Sequence, residues 1–508
     1  MGPLRFLDTE DLESLGVTKA DRRARLFAIL LGVGLAVSQT WRAATQSITH
    51  DEALNYLRYL SKPWETVFST YTANHHFLFT YLAKFSTGLF GTSEFTMRLP
   101  SLIAFVLFAL SIGSLTRRLS KSWLLFLASY SFFLLNPLLL DFLCAARGYG
   151  LALAFFTMAL CLSHAATCAR IQVPGRQRLG IGVVAALCLS SNLAFAPALV
   201  GLGCALLAID LVNLKGVGLR GMMGCVKGWT ISAILPAFVI VGSLILLPLR
   251  QAQRSHFFFG AESLRDTMRG LVQASYDHGG RATFAVDPTP LVEIVGDFVC
   301  PALLVVIVLS VVANWWRRKD DMPVLFGTSL IVAVFTVVVL HYVADAAYPM
   351  ERTGLYLIPL FGLALVEAIG QFGKGRLRLA TQSLLVLILL GSSAVFVTEF
   401  QVGFFRNWRY DAGTKRVVTR ILEAREKNDQ GKVRVALMDW RYGPSMAFYQ
   451  QQAPKGAIAP ISHKWTFGDF TFDYYLVPPV LATDDDESEY LRLFYKDPIS
   501  KVVVGVNR

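Results

Sequence analysis

Long apolar runs separated by short polar breaks make up the first four hundred residues. Most approach the roughly 20 residues that cross a bilayer as a helix. The pattern predicts membrane spans near 26–44, 98–116, 123–140, 149–168, 179–192, 193–212, 229–248, 291–314, 323–343, 354–371 and 379–399. Residues 76–90 are also apolar, but they are short and carry Lys84. They read as an interfacial or re-entrant helix rather than a span. From residue 400 the pattern changes. TKRVVTRILEAREK (414–427) has helical periodicity, and 433–439, 472–478, 491–495 and 501–506 read as strands. The expected fold is an α-helical polytopic membrane protein with a small C-terminal α/β domain. It divides into a polar segment 1–25, a membrane region 26–399 with a long loop 45–97, and a soluble domain 400–508. The first run has no small-residue cleavage pattern and reads as an uncleaved anchor.

Composition agrees with this division. Hydrophobic residues are 54% of the chain and charged residues 17%, with a mean hydropathy of +0.48. That excludes a disordered chain and an ordinary cytosolic enzyme. The net charge of +12 does not indicate nucleic acid, because the basic residues sit in clusters between apolar runs. Those clusters are Arg22/Arg23/Arg25, Arg117/Arg118/Lys121, Arg170/Arg176/Arg178, Lys215/Arg220/Lys227, Arg317/Arg318/Lys319 and Lys374/Arg376/Arg378. Eleven spans and a cytoplasmic start put all six on the cytoplasmic side. Counting 76–90 as a span would export five of them. The seven cysteines lack paired spacing, so neither a zinc site nor a disulfide framework is expected.

The opposite side collects the candidate chemistry. His50, Asp51 and Glu52 follow the first span; Asn74, His75 and His76 lie further along the same loop; Asp141, Arg147 and Tyr149 follow the third span; Tyr348, Glu351 and Arg352 precede the tenth. Arg147 and Arg352 occupy short outer loops against the positive-inside bias, which suggests an anionic partner such as phosphate. Headgroup contact, or pairing with a carboxylate such as Glu351, is the plainer alternative. Asp51 and Glu52 suit a general base and its neighbour, metal ligands or a helix start. Asp51 with His76 is the pair to consider for a metal. The loop-one aromatics suit a sugar or an interfacial belt. Asp484, Asp485 and Asp486 read as a solvated turn.

Four stretches carry a resemblance: THDEALNY (49–56), NHHFLFTYLAKFSTGLFGTSEFTMRLPS (74–101), CAARGYGLAL (144–153) and YPMERTGLYLIP (348–359). Together with the span pattern they resemble the GT-C superfamily of polyprenyl-phosphate-sugar glycosyltransferases, in the branch of protein O-mannosyltransferases and lipid A aminoarabinose transferases. The resemblance implies an inverting glycosyltransferase that moves a sugar from a polyprenyl-phosphate donor to an acceptor hydroxyl on a protein, lipid or glycan. It implies that Asp51 is the catalytic base that takes the acceptor's proton, or at least orients the acceptor, with Glu52 completing the pair, and that Arg147, Arg352 and His76 bind the donor phosphate. Asn74, His75, Asp141, Tyr149, Tyr348 and Glu351 are the candidate substrate-binding residues. The chain departs from the family at Ala145, where many members have Glu, and at His75-His76-Phe77, where many have proline. No cofactor is implied, and a divalent metal stays open. The expected location is a bacterial inner membrane with the site on the outer face. The rival readings are a lipid-linked-sugar transporter or flippase and an inactive relative. The absence of a repeat and the one-sided placement of polar residues count against transport.

Overall fold

A computed structural model describes residues 19–168, 172–214, 218–251, 259–279, 289–317, 324–371, 375–428, 431–462, 471–479 and 491–507. The acidic run Asp484–Asp486, most of the segment 1–25, and Arg170, Lys215, Arg318, Lys319 and Lys374 of the basic clusters lie outside the described residues.

Helices stand at all eleven expected span positions. Among the described residues, nine helical stretches are long and apolar enough to cross a membrane. The other two positions hold shorter helices. Trp123–Leu135 is interrupted at Asn136, whose side chain accepts from Leu139 N and starts Pro137–Phe142. Gly175–Ser191 is 17 residues long. The helices differ in their surroundings. Gly218–Leu249 is almost bare of protein contact, whereas Glu351–Gly370 is mostly enclosed. Bare faces carry Phe238, Phe335, Tyr342 and Val343, as lipid-facing helices require. The apolar loop segment is a helix, Phe77–Phe90. Its Lys84 Nζ donates to the Leu60 carbonyl at 2.9 Å and to the Lys62 carbonyl, so the charge meets the end of the preceding helical turn.

The chain folds to two polar poles. At one, Arg117 pairs with Asp21 at 3.4 Å and Arg378 donates to the Gly370 carbonyl at 2.7 Å. At the other, residues 42–52, 141–150, 348–352 and 404–411 meet.

The C-terminal part has the expected character, with three of its four strands shorter than the runs that predict them. The helix Thr414–Lys427 forms as read. Strands β1 (Val435–Leu437), β2 (Tyr474–Val477), β3 (Leu491–Lys496) and β4 (Val503–Asn507) form one sheet in the order β1-β2-β4-β3. β1 and β2 run parallel; the other pairs are antiparallel. The sheet region is tied directly to the helical one. Tyr449 Oη accepts from Ile48 N at 2.8 Å and donates to Glu94 at 2.9 Å, and its core is continuous with that of the helices.

Candidate active site

The loop after the first helix turns at Thr49, which caps the helix His50–Asn55 in a reciprocal capping box with Glu52. Successive residues on a helix point about 100° apart. Asp51 and Glu52 therefore leave the same turn in different directions.

Asp51 faces a cavity of about 780 Å³. Arg352 Nη1 donates to its Oδ2 at 3.2 Å, and Arg147 Nη2 stands 3.5 Å from the same oxygen. The Asn74 side chain makes a smaller contribution in favour of the charged carboxyl. Burial opposes the charged form, but Arg147 and Arg352 outweigh it and hold the carboxyl below its usual range. Glu52 turns inward and is fully buried. It takes Arg98 in a two-pronged pair at 2.9 and 2.6 Å, and it accepts from Thr49 N at 2.8 Å and Ala146 N at 2.5 Å. It does not line the cavity; its bond to Ala146 fixes the residue before Arg147.

Arg147 is the N-cap of the helix Gly148–Thr167. The turn in front of it is pinned by Glu52, by Ser101 Oγ on the Ala145 carbonyl at 2.6 Å, and by the Asp141 carbonyl. Gly148 is required there. A Cβ at that position would lie 2.1 Å from the Ser191 carbonyl oxygen and 2.6 Å from His76 Cβ. Arg352 sits on the helical turn Glu351–Gly354, with its guanidinium 4.3 Å over the Phe259 ring.

Of the residues expected from sequence, the fold gathers Asp51, Asn74, His75, His76, Arg147, Tyr149, Tyr348 and Arg352 around this cavity. His76 is packed edge-on against Tyr149 at 5.0 Å. Burial first, and then Arg147 and Arg352, push its pKa well below the usual histidine value. It therefore meets a ligand as a neutral hydrogen-bonding ring. His75 stacks on Tyr59 at 4.1 Å, and burial lowers its pKa to about 4.

Three expected residues are held away from the cavity, together with a partner remote in sequence. Glu52 is held by Arg98. Asp141 is buried between Arg42 and His278 Nε2, the latter at 2.9 Å, and accepts from Arg406 N at 2.8 Å. Glu351 accepts from Arg406 Nη1 at 3.0 Å and Asn407 Nδ2 at 3.2 Å. Asp141 and Glu351 thus fasten the chain at 406–407 to the helices.

Sequence reasoning missed other lining residues. Asn192 and Tyr356 line the cavity from helix ends, and Trp408, Tyr410, Trp440 and Arg441 from the C-terminal part. A readable signal existed only for Asn192, the polar break between two apolar runs.

The donors around this cavity are conspicuously unused. Arg147 Nε and Nη1, Arg352 Nε, His76 Nε2, Asn192 Nδ2 and Tyr356 Oη are buried and find no hydrogen-bond partner among the described residues. Buried polar atoms are normally paired. No group of three or more His, Cys, Asp or Glu side chains among the described residues is placed to hold a metal ion.

No protein-family model and no curated protein matches the sequence. Solved structures are similar to the chain at low identity. ArnT from Cupriavidus metallidurans bound to undecaprenyl phosphate aligns over 94% of this chain and 98% of its own at 12% identity and a TM-score of 0.46. Its apo state aligns over 96% and 98% at 12% identity and 0.46. An oligosaccharyltransferase from Archaeoglobus fulgidus, tethered with an acceptor peptide, aligns over 95% and 74% at 13% identity and 0.46.

Proposed function

We propose that the chain is a GT-C-type membrane glycosyltransferase that moves a sugar from a polyprenyl phosphate to an acceptor hydroxyl at the non-cytoplasmic face. The observation that carries this reading is the set of unpaired buried donors around one cavity, two of whose members are guanidinium groups. Arginine matches phosphate oxygens with fixed, always charged donors. The apolar flank of the cavity, with Leu193, Pro197, Val337 and Leu340, suits the first units of a lipid chain leaving sideways.

The proposed chemistry is one displacement with inversion. The anomeric carbon–oxygen bond breaks, and its electron pair stays on the phosphate, where Arg147 and Arg352 oppose the charge. The acceptor oxygen bonds the opposite face of the sugar as its hydroxyl proton passes to a base in the cavity. Asp51 opposes the positive character at the anomeric carbon and keeps the two guanidiniums aimed. Fixed charges of this kind act strongly in a partly dry site.

Binding of undecaprenyl phosphate to purified protein in detergent tests the reading. Arg352→Ala should weaken binding about 10–100-fold, the range for losing charge-assisted hydrogen bonds. Arg265 is exposed and paired with Asp297 at 3.1 Å, so Arg265→Ala should change binding little. Equal effects of the two variants would overturn the assignment.

A further inference from the structure

His50 lines the cavity beside Asp51 and has a hydrogen-bond pattern that fixes its tautomer. Its Nδ1 lies 2.7 Å from the Arg441 carbonyl oxygen. A carbonyl only accepts, so Nδ1 carries the hydrogen and donates it. The lone pair of the neutral ring is then on Nε2. Nε2 makes no hydrogen bond among the described residues. The ring stands edge-on to Trp440, with centroids 5.4 Å apart.

Asp51 is badly placed for the same task. One of its oxygens serves both Arg352 and Arg147, and a carboxylate in the field of two cations is a weak base. The titratable and charged groups around His50 come from three elements. Asp51 is on its own helix. Asp411 accepts from His50 N at 2.6 Å. Arg441 and Asp439 form an ion pair on the turn that receives Nδ1, and Arg441 lies 5.3 Å over the Tyr410 ring.

We propose that His50 Nε2, rather than Asp51, takes the proton of the acceptor hydroxyl, and that the C-terminal turn 439–441 orients it for this. The inference rests on the transferase reading above. The acceptor O–H bond breaks with its proton passing to Nε2. Its electron pair forms the new oxygen–carbon bond as the bond to phosphate breaks. The imidazolium, next to the Asp51 carboxylate, then returns its proton to water. The acceptor enters along the wall built by Trp440 and Arg441.

The test uses membranes from cells lacking this protein, grown on radiolabelled glucose; on the transferase reading they hold unused donor lipid and unmodified acceptor. Added wild-type protein should move label from the lipid fraction to acceptor. His50→Asn keeps an amide N–H where Nδ1–H stood but has no basic nitrogen. Its transfer rate should fall at least about 100-fold, within the usual contribution of a general base. It should bind undecaprenyl phosphate as wild type does. Free imidazole should restore part of the rate in His50→Gly. A His50→Asn rate close to wild type would overturn the inference, as would equal losses of rate and of undecaprenyl phosphate binding, which would mark a structural role. If wild-type protein moves no label, the transferase reading itself falls.

Discussion

Two adjacent carboxylates lead into two different kinds of polar region. Glu52 sits in a closed knot, where its oxygens meet Arg98, Thr49 N and Ala146 N, and the remaining Arg98 donors meet the carbonyls of Ala43, Gln46 and Ser47. Asp51 opens onto the cavity, where the arginines keep donors that nothing among the described residues uses. Both regions bury arginine. In the knot the charge is consumed in holding the first loop to the helix Glu94–Leu119. In the cavity two guanidiniums share the Asp51 carboxylate and keep donors without a partner among the described residues. Satisfied buried charge points to architecture, and unsatisfied buried charge points to binding.

The sharpest way to break this contrast is to remove the knot's cation. Arg98→Ala strands Glu52 without its counter-charge and should cost about 3–5 kcal/mol of stability. Thermal unfolding in detergent reads this, and a small shift would mean that the knot is not a structural element. The next effect belongs to the cavity. Asp51→Asn should lower transfer about 10²–10³-fold, as losing one preorganised electrostatic group does. The same change releases Arg147 and Arg352 from their counter-charge, so undecaprenyl phosphate should bind at least as tightly. Weaker binding would place Asp51 on the donor's side of the reaction.

The smallest effect lies at the seam between the two parts of the chain. Burial pushes the Asp411 carboxyl up to about 8, despite donors from Ser445, His50 N and Thr414, with Asp51 adding to the rise. The native state then holds a proton that the unfolded chain loses near its ordinary value of about 4. This contribution is fully present below that value and is lost as pH rises through 8. His75, lowered to about 4, acts in the opposite sense up to the ordinary histidine range near 6.5. Between about 6.5 and 8 the Asp411 slope stands clear of it. It is at most about 1.4 kcal/mol per pH unit. Melting curves across that interval should be flatter for Asp411→Asn than for wild type; parallel curves would exclude a protonated Asp411.

The legible part of this molecule was what apolar period and charge placement can carry. The spans, the loop helix Phe77–Phe90 and the C-terminal strands all follow from hydrophobic spacing. Asp51, Arg147 and Arg352 stood out because charge beside an apolar run is costly unless something receives it. Pairing at a distance was not legible. Glu52 looked like half of a catalytic pair because adjacency in sequence hides the turn of a helix. Asp141 and Glu351 looked available because their partners, Arg42 and Arg406, lie 99 and 55 residues away. The largest omission was the wall supplied by Trp408, Tyr410, Trp440 and Arg441. A separate polar domain gave no sign, in composition or period, that it would complete the cavity.

That wall has a consequence for biosynthesis. Arg42 donates to the Phe404 carbonyl across 362 residues of chain. A ribosome therefore threads nearly every helix into the bilayer before that partner exists. Until translation reaches Arg441, the chamber stands open on one side and His50 has no carbonyl to set its hydrogen. A half-made chain can thus be inserted in the membrane while its cavity still lacks the wall from Trp408, Tyr410, Trp440 and Arg441.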